Sequence, residues 1–211
     1  MTDSAADETQ GDEAMNGEQR RLWTPWRMGY VGGKRRATPP GMSVFSAIAA
    51  EPEHDAENYV LHRGARAFVL LNLYPYNTGH CMVVPLRQVA SLAALDAAEV
   101  TEIALLLPWL TRVLTATFHC DGLNLGLNLG AVAGAGVAEH LHWHVVPRWQ
   151  GDANFMPILA GTTVMPQLLP DSYIAIRQTM TGDPPPALPD DLTAGLLRAF
   201  PVPQPATTTK D

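Results

Sequence analysis

The pattern of apolar and polar positions along the chain predicts strands and helices in turn. Phe68-Val69-Leu70-Leu71-Asn72-Leu73 is a short apolar run rich in strand formers, and His80-Cys81-Met82-Val83-Val84-Pro85 is another. The connection between them, Tyr74-Pro75-Tyr76-Asn77-Thr78-Gly79, consists mainly of turn formers, so the pair reads as an antiparallel hairpin. Leu123-Asn124-Leu125-Gly126-Leu127-Asn128 alternates and predicts a third strand. The fourth is Glu139-His140-Leu141-His142-Trp143-His144-Val145-Val146-Pro147-Arg148. Side chains two apart share a face of a strand. His140, His142 and His144 therefore stand in a row, with Leu141, Trp143 and Val145 turned the other way and Glu139 on the face opposite His140.

Helical spacing appears elsewhere. Val100, Ile103, Leu107, Leu110, Leu114 and Phe118 recur at intervals of three, four and seven. Asp96 with Glu99 three residues on forms a capping-box start, Asp121-Gly122 marks the end, and Pro108 is expected to kink or split the helix. Phe45, Ile48 and Ala49 predict a short helix just after Ser43. Residues 164–176 read either as a helix or as an irregular cover, and Leu192 to Phe200 as a short helix. The reading is an α+β fold, expected as an antiparallel sheet of about five strands, four of them legible in this pattern, with a long packed helix.

Composition divides the chain. Residues 1–20 hold six acids and one base, so they carry −5 of the net charge of −7, and they lack aromatics. They are expected to be a disordered acidic tail. Residues 21–42 form an aromatic and basic arm, with Trp23, Trp26 and Tyr30 close together and a loop at Gly32 to Pro40. Its aromatics anchor it to the core or to a second subunit, or else reach a base or phosphate. Residues 43–180 form the body and 181–211 a Pro-rich tail that begins with the extended linker Asp183-Pro184-Pro185-Pro186-Ala187-Leu188-Pro189. A body near neutrality argues against broad nucleic-acid binding. Cys81 and Cys120 lack metal or disulfide spacing and read as small buried residues. No contiguous apolar run reaches a membrane span, and the N-terminus lacks an apolar signal segment, so a cytoplasmic protein with no membrane partner is expected.

Three aligned imidazoles fit either a metal site or a nucleophile flanked by groups that manage charge and protons. A metal site would be expected to bring a carboxylate or thiolate to the same face, and Glu139 is placed on the other, so no metal ligands are assigned. The loop Gly130-Ala131-Val132-Ala133-Gly134-Ala135-Gly136 leads into the histidines, and its small residues let backbone N–H groups approach a phosphate. His62 and His119 are expected at the surface.

His140-Leu141-His142-Trp143-His144-Val145-Val146, with Asn72 eight residues before His80, resembles the signature of the histidine triad (HIT) superfamily of nucleotidyl hydrolases and transferases. Leu22-Trp23-Thr24-Pro25-Trp26-Arg27, Gly126-Leu127-Asn128-Leu129-Gly130 and Arg148-Trp149-Gln150-Gly151-Asp152-Ala153-Asn154-Phe155 are similar to the actinobacterial-type diadenosine tetraphosphate phosphorylases within it. The resemblance implies a HIT-like fold in which His142 attacks the α-phosphorus to form a covalent nucleotidyl-histidine, its Nδ1–H held by the His140 carbonyl. It implies that His144 and His80 hydrogen-bond phosphoryl oxygens, that His140 shapes the site, that Asn72 binds ribose and Asn128 phosphate, and that the Gly134 and Gly136 amides receive negative charge. Inorganic phosphate would release the nucleotide in a phosphorylase, and water in a hydrolase of dinucleoside polyphosphates or adenosine phosphoramidates. A nucleotide-binding regulator with weak catalysis ranks lower. No cofactor is tightly bound on this reading; magnesium arrives on the polyphosphate. A homodimer is implied, through the long helix and an edge strand, with residues 23–30 able to extend it to a tetramer. One departure stands out: family members carry Gln, Ser or Thr three or four residues before the first triad histidine, where this chain has Val137 and Gly136.

Overall fold

Strands β2 (Ala67–Leu71) and β3 (Cys81–Pro85) are buried along their whole length on both faces. This is why their sequences read as apolar runs rather than alternations. They sit inside a five-stranded antiparallel sheet completed by β1 (Val60–Arg63), β4 (Gly122–Gly126) and β5 (Trp143–Arg148), in the order β1-β2-β3-β5-β4. The computed structural model describes residues 38–152 and 167–187. The acidic tail 1–20, the aromatic positions 23–30, the helix expected at Leu192 to Phe200 and the residues beyond it lie outside the described residues.

Each face of the sheet has its own core. Ala67, Val69, Leu71, Cys81, Val83 and Val145 point to one side and pack under two helices, α2 (Ala97–Phe118) and α3 (Leu169–Met180). Phe68, Leu70, Met82 and Val84 point to the other and pack with Phe45 and Ile48 of the short helix α1 (Val44–Ala49). His144 pairs across strands with Met82, so it stands on the α1 face. That face carries the site; the other carries most of the packing. Ile103, Leu106, Trp109, Leu110 and Leu114 of α2 are all buried, at roughly 1.5–3 kcal/mol for each large apolar side chain.

Helix α2 begins as its sequence predicts. Asp96 accepts from the Glu99 N–H at 2.8 Å, and the Glu99 carboxylate accepts from the Asp96 N–H at 2.8 Å. The helix ends earlier than Asp121-Gly122, at His119, whose left-handed φ of +48° closes it. Pro108 does not split it: the helix runs unbroken from Ala97 to Phe118. Packing of its apolar stripe on the sheet outweighs the one backbone bond that proline removes. By length and composition alone α2 would suit a membrane span, although its sequence holds no contiguous apolar run of that size. Its buried residues pack on the sheet, and its Glu102 accepts N–H bonds from Ala65, Arg66 and Ala67 in the β1–β2 turn. Gly64 belongs to that turn, where a Cβ would lie 2.5 Å from the Glu102 carboxylate oxygen.

Two further expectations are corrected, and one strand is new. Strand β5 begins at Trp143, so His140 and His142 precede it in a turn and extended loop. Strand β1 was not foreseen; its four residues are too few to show a period. His62 is half-buried with its ring 5.9 Å from that of Trp109, whereas His119 is exposed. Helix α3 occupies much of the segment whose form was left open. Cys81 and Cys120 are both buried and unbridged.

Candidate active site

The first triad histidine is a strut. His140 is 1% exposed, and its Nε2 lies 2.8 Å from the Pro85 carbonyl oxygen, which can only accept. The proton is therefore on Nε2, and Nδ1 accepts from the Ser43 hydroxyl at 2.6 Å. Ser43 is also the N-cap of α1, accepting from the Ser46 N–H at 3.0 Å. Burial lowers the His140 pKa, against the opposing pull of its bond to Pro85. With both nitrogens engaged it stays neutral and fixed.

Its backbone then aims the second histidine. The His140 carbonyl lies 2.8 Å from His142 Nδ1, the partner the sequence resemblance implies. A carbonyl accepts, so Nδ1 carries the proton and the Nε2 lone pair is left for the pocket. Burial lowers the pKa of His142, against upward pulls from the His140 carbonyl and from Glu139. The ring stays neutral and nucleophilic below the ordinary histidine range. Phe45 of α1 packs against it, with ring centroids 5.1 Å apart.

His80 differs from its expected role. It is fully buried, and both of its ring nitrogens face the protein. Nδ1 accepts from the Tyr76 backbone N–H at 2.9 Å, so the proton sits on Nε2, which donates to His144 Nδ1 at 2.9 Å. The consequence passes on to His144. Its Nδ1 is an acceptor, so its own proton is on Nε2. His80 thus fixes the tautomer of His144 instead of touching phosphate itself. Burial and the neighbouring His144 and His142 hold its pKa down at about 3.

A pocket of about 600 Å³ opens over His142 and His144. Phe45, Ile48, Leu70 and Met82 make one apolar wall, while Gly134, Gly136 and Val137 bring the small-residue loop to the histidine end. Asn72 lines the pocket, and its Oδ1 accepts from the Tyr74 N–H at 3.0 Å, so it caps the turn while its amide faces inward within 3.4 Å of His80 Nδ1. Asn128 is not in the lining: its amide reaches the Gly134 carbonyl at 3.5 Å and ties down the loop that the resemblance set against phosphate. Glu139 lines the pocket beside His142 and His144. It was expected on the opposite face; the turn at residues 138–139 ends the alternation that placed it there. Among the described residues no group of three or more His, Cys, Asp or Glu side chains is placed to hold a metal ion.

No chemical role for Ser43, Phe45 or Tyr76 was legible in the sequence. Ser43 ahead of an apolar helix start was the available signal for a cap, and the Tyr74-Pro75-Tyr76 turn was the signal for exposed aromatics beside His80.

The model of the HIT domain matches residues 53–151, a span that holds the whole sheet and the three histidines. The chain belongs to the HIT family. It is 46% identical over 156 residues to an AP-4-A phosphorylase of Mycobacterium tuberculosis, covering 72% of this chain and 80% of that one. An asymmetrical bis(5'-nucleosyl)-tetraphosphatase of Schizosaccharomyces pombe is 31% identical over 93 residues, covering 44% of this chain and 50% of the relative. Among solved structures, a zinc-bound histidine triad family protein from Mycobacterium smegmatis superposes with a TM-score of 0.54 at 25% identity, over 66% of this chain and 93% of the other.

Proposed function

We propose that this chain is a diadenosine tetraphosphate phosphorylase working through His142. One observation carries the reading: an Nδ1–H fixed on the His140 carbonyl leaves the Nε2 lone pair of a neutral imidazole over a nucleotide-sized pocket. The 46% identity to an AP-4-A phosphorylase supports the choice of substrate.

The Nε2 lone pair attacks the α-phosphorus, the P–O bond to the remaining polyphosphate breaks, and ATP departs from a nucleotidyl-His142 cation. An oxygen of inorganic phosphate then attacks the same phosphorus. The P–N bond breaks, ADP leaves and His142 returns neutral. The His144 Nε2–H stabilises the oxygens as charge grows on them; the Gly134 amide, which the resemblance set against phosphate, donates instead to the Ala131 carbonyl at 3.0 Å. Asn72 holds the ribose, and one base lies in the slot beside α1. Magnesium, on this reading, arrives on the polyphosphate.

Water in place of phosphate is the second reading. It is favoured by Gly136, which has no side-chain hydroxyl or amide where relatives carry a polar side chain. Product analysis decides between the two. ATP plus ADP from diadenosine tetraphosphate, formed only with added phosphate and absent in His142→Ala, supports the phosphorylase. ATP plus AMP without regard to phosphate makes the protein a hydrolase.

A further inference from the structure

Four rings touch in sequence across the pocket. Phe45 meets His142 at a centroid separation of 5.1 Å, His142 meets His144 at 5.0 Å, and His144 meets Tyr76 at 5.6 Å with the planes tilted by 32°. The row has an aromatic at each end and the reacting imidazoles in the middle. Phe45 closes the apolar slot at α1. Tyr76 closes the other end, where it lines the same pocket and remains 39% exposed.

Tyr76 is also held rigidly. Its ring lies 4.6 Å from that of His80, which is fully buried, and its backbone N–H donates to the same imidazole. The next residue, Asn77, ties the turn to the end of β5, donating to the Pro147 carbonyl at 3.2 Å and to Asp152 at 2.9 Å. Asp152 in turn accepts from Arg148 through both oxygens. A fixed, half-exposed aromatic loses little freedom when a flat ring stacks on it.

We propose that Tyr76 is the seat for the second base, the one that departs with the leaving polyphosphate. The inference rests on the dinucleotide reading above and adds a residue that distinguishes a dinucleoside polyphosphate from a mononucleoside one. One base enters at Phe45, the phosphorus lies at His142 and His144, and the second base stacks at Tyr76. Any nucleobase presents a π-face, so this seat selects for the presence of a second base more than for its identity. Merely covering His80 would need only an apolar side chain, and leucine would serve.

The test compares diadenosine tetraphosphate with adenosine 5'-tetraphosphate, which keeps the phosphate chain and lacks the second nucleoside. Steady-state kinetics with the full chain should show a preference for the dinucleotide of about tenfold in kcat/KM, equivalent to about 1.4 kcal/mol. Tyr76→Phe should keep that ratio, and Tyr76→Leu should collapse it toward one, chiefly through KM for the dinucleotide. Loss of the same factor on both substrates in Tyr76→Leu would show that the ring acts through His80 and His144, and would overturn the proposal. So would a wild-type protein without preference, or a preference that survives the leucine. If the wild type turns over neither compound, the dinucleotide reading itself fails and the seat falls with it; turnover without preference removes the seat alone.

Discussion

At the scale of single residues, the site runs on where each imidazole keeps its proton. On the proposed mechanism His142 must be neutral to attack, and burial lowers its pKa. The neutral form therefore persists as pH falls below the ordinary histidine value of about 6.5. The acid limb of the kcat/KM profile should have its midpoint below that value, and a limb at or above it would exclude His142 as the group that titrates. The sequence made His142 legible as the middle of a triad, because three histidines at alternate positions are hard to explain otherwise. It did not make His80 legible as a relay. That depends on the Tyr76 N–H folding back onto a ring four residues later, a contact no spacing rule contains. Glu139 was misplaced for a similar reason: alternation predicts faces only while the chain stays a strand.

At the scale of elements, local signals served well where they were dense and poorly where they were short. The capping box at Asp96 and Glu99 located the start of α2. Pro108 was over-weighted, because its cost is local whereas the gain from packing the helix on the sheet is spread along its length. The contact that joins α2 to the β1–β2 turn was invisible, since a glutamate on a helix reads as solvent-facing. Glu102 is 3% exposed and satisfies three N–H groups. Glu102→Ala should therefore destabilise the fold by about 3 kcal/mol, the cost of leaving buried donors unsatisfied. Urea unfolding would measure it, and a loss under 1 kcal/mol would show that water or a rearranged turn replaces the carboxylate.

At the scale of the whole molecule, the sheet ends, among the described residues, at β4, an edge strand with Leu125 49% exposed. An open edge with an exposed leucine is a surface that natural sheets cover or pair. The homodimer that the resemblance implies would need such an edge. Light scattering should give twice the chain mass for the wild type and the single mass for Leu125→Lys; a wild-type monomer would remove the dimer. The α+β class and the sheet-and-helix plan could be read from hydrophobic spacing. The partition of the two faces could not, because β2 and β3 are apolar on both sides and their sequences do not say which side carries the site. Cross-strand register settled it, through His144 opposite Met82.

Ser43 both begins α1 and holds His140. On the proposed mechanism, the wall that receives a base and the strut behind the nucleophile are therefore one body. A base that sits badly against α1 loses contact and also turns the nucleophile away from its line of attack. Discrimination among purines and pyrimidines is then written into the speed of bond formation as well as into affinity. A poorly matched dinucleotide would be held yet turned over slowly, so that a false substrate behaves as an inhibitor.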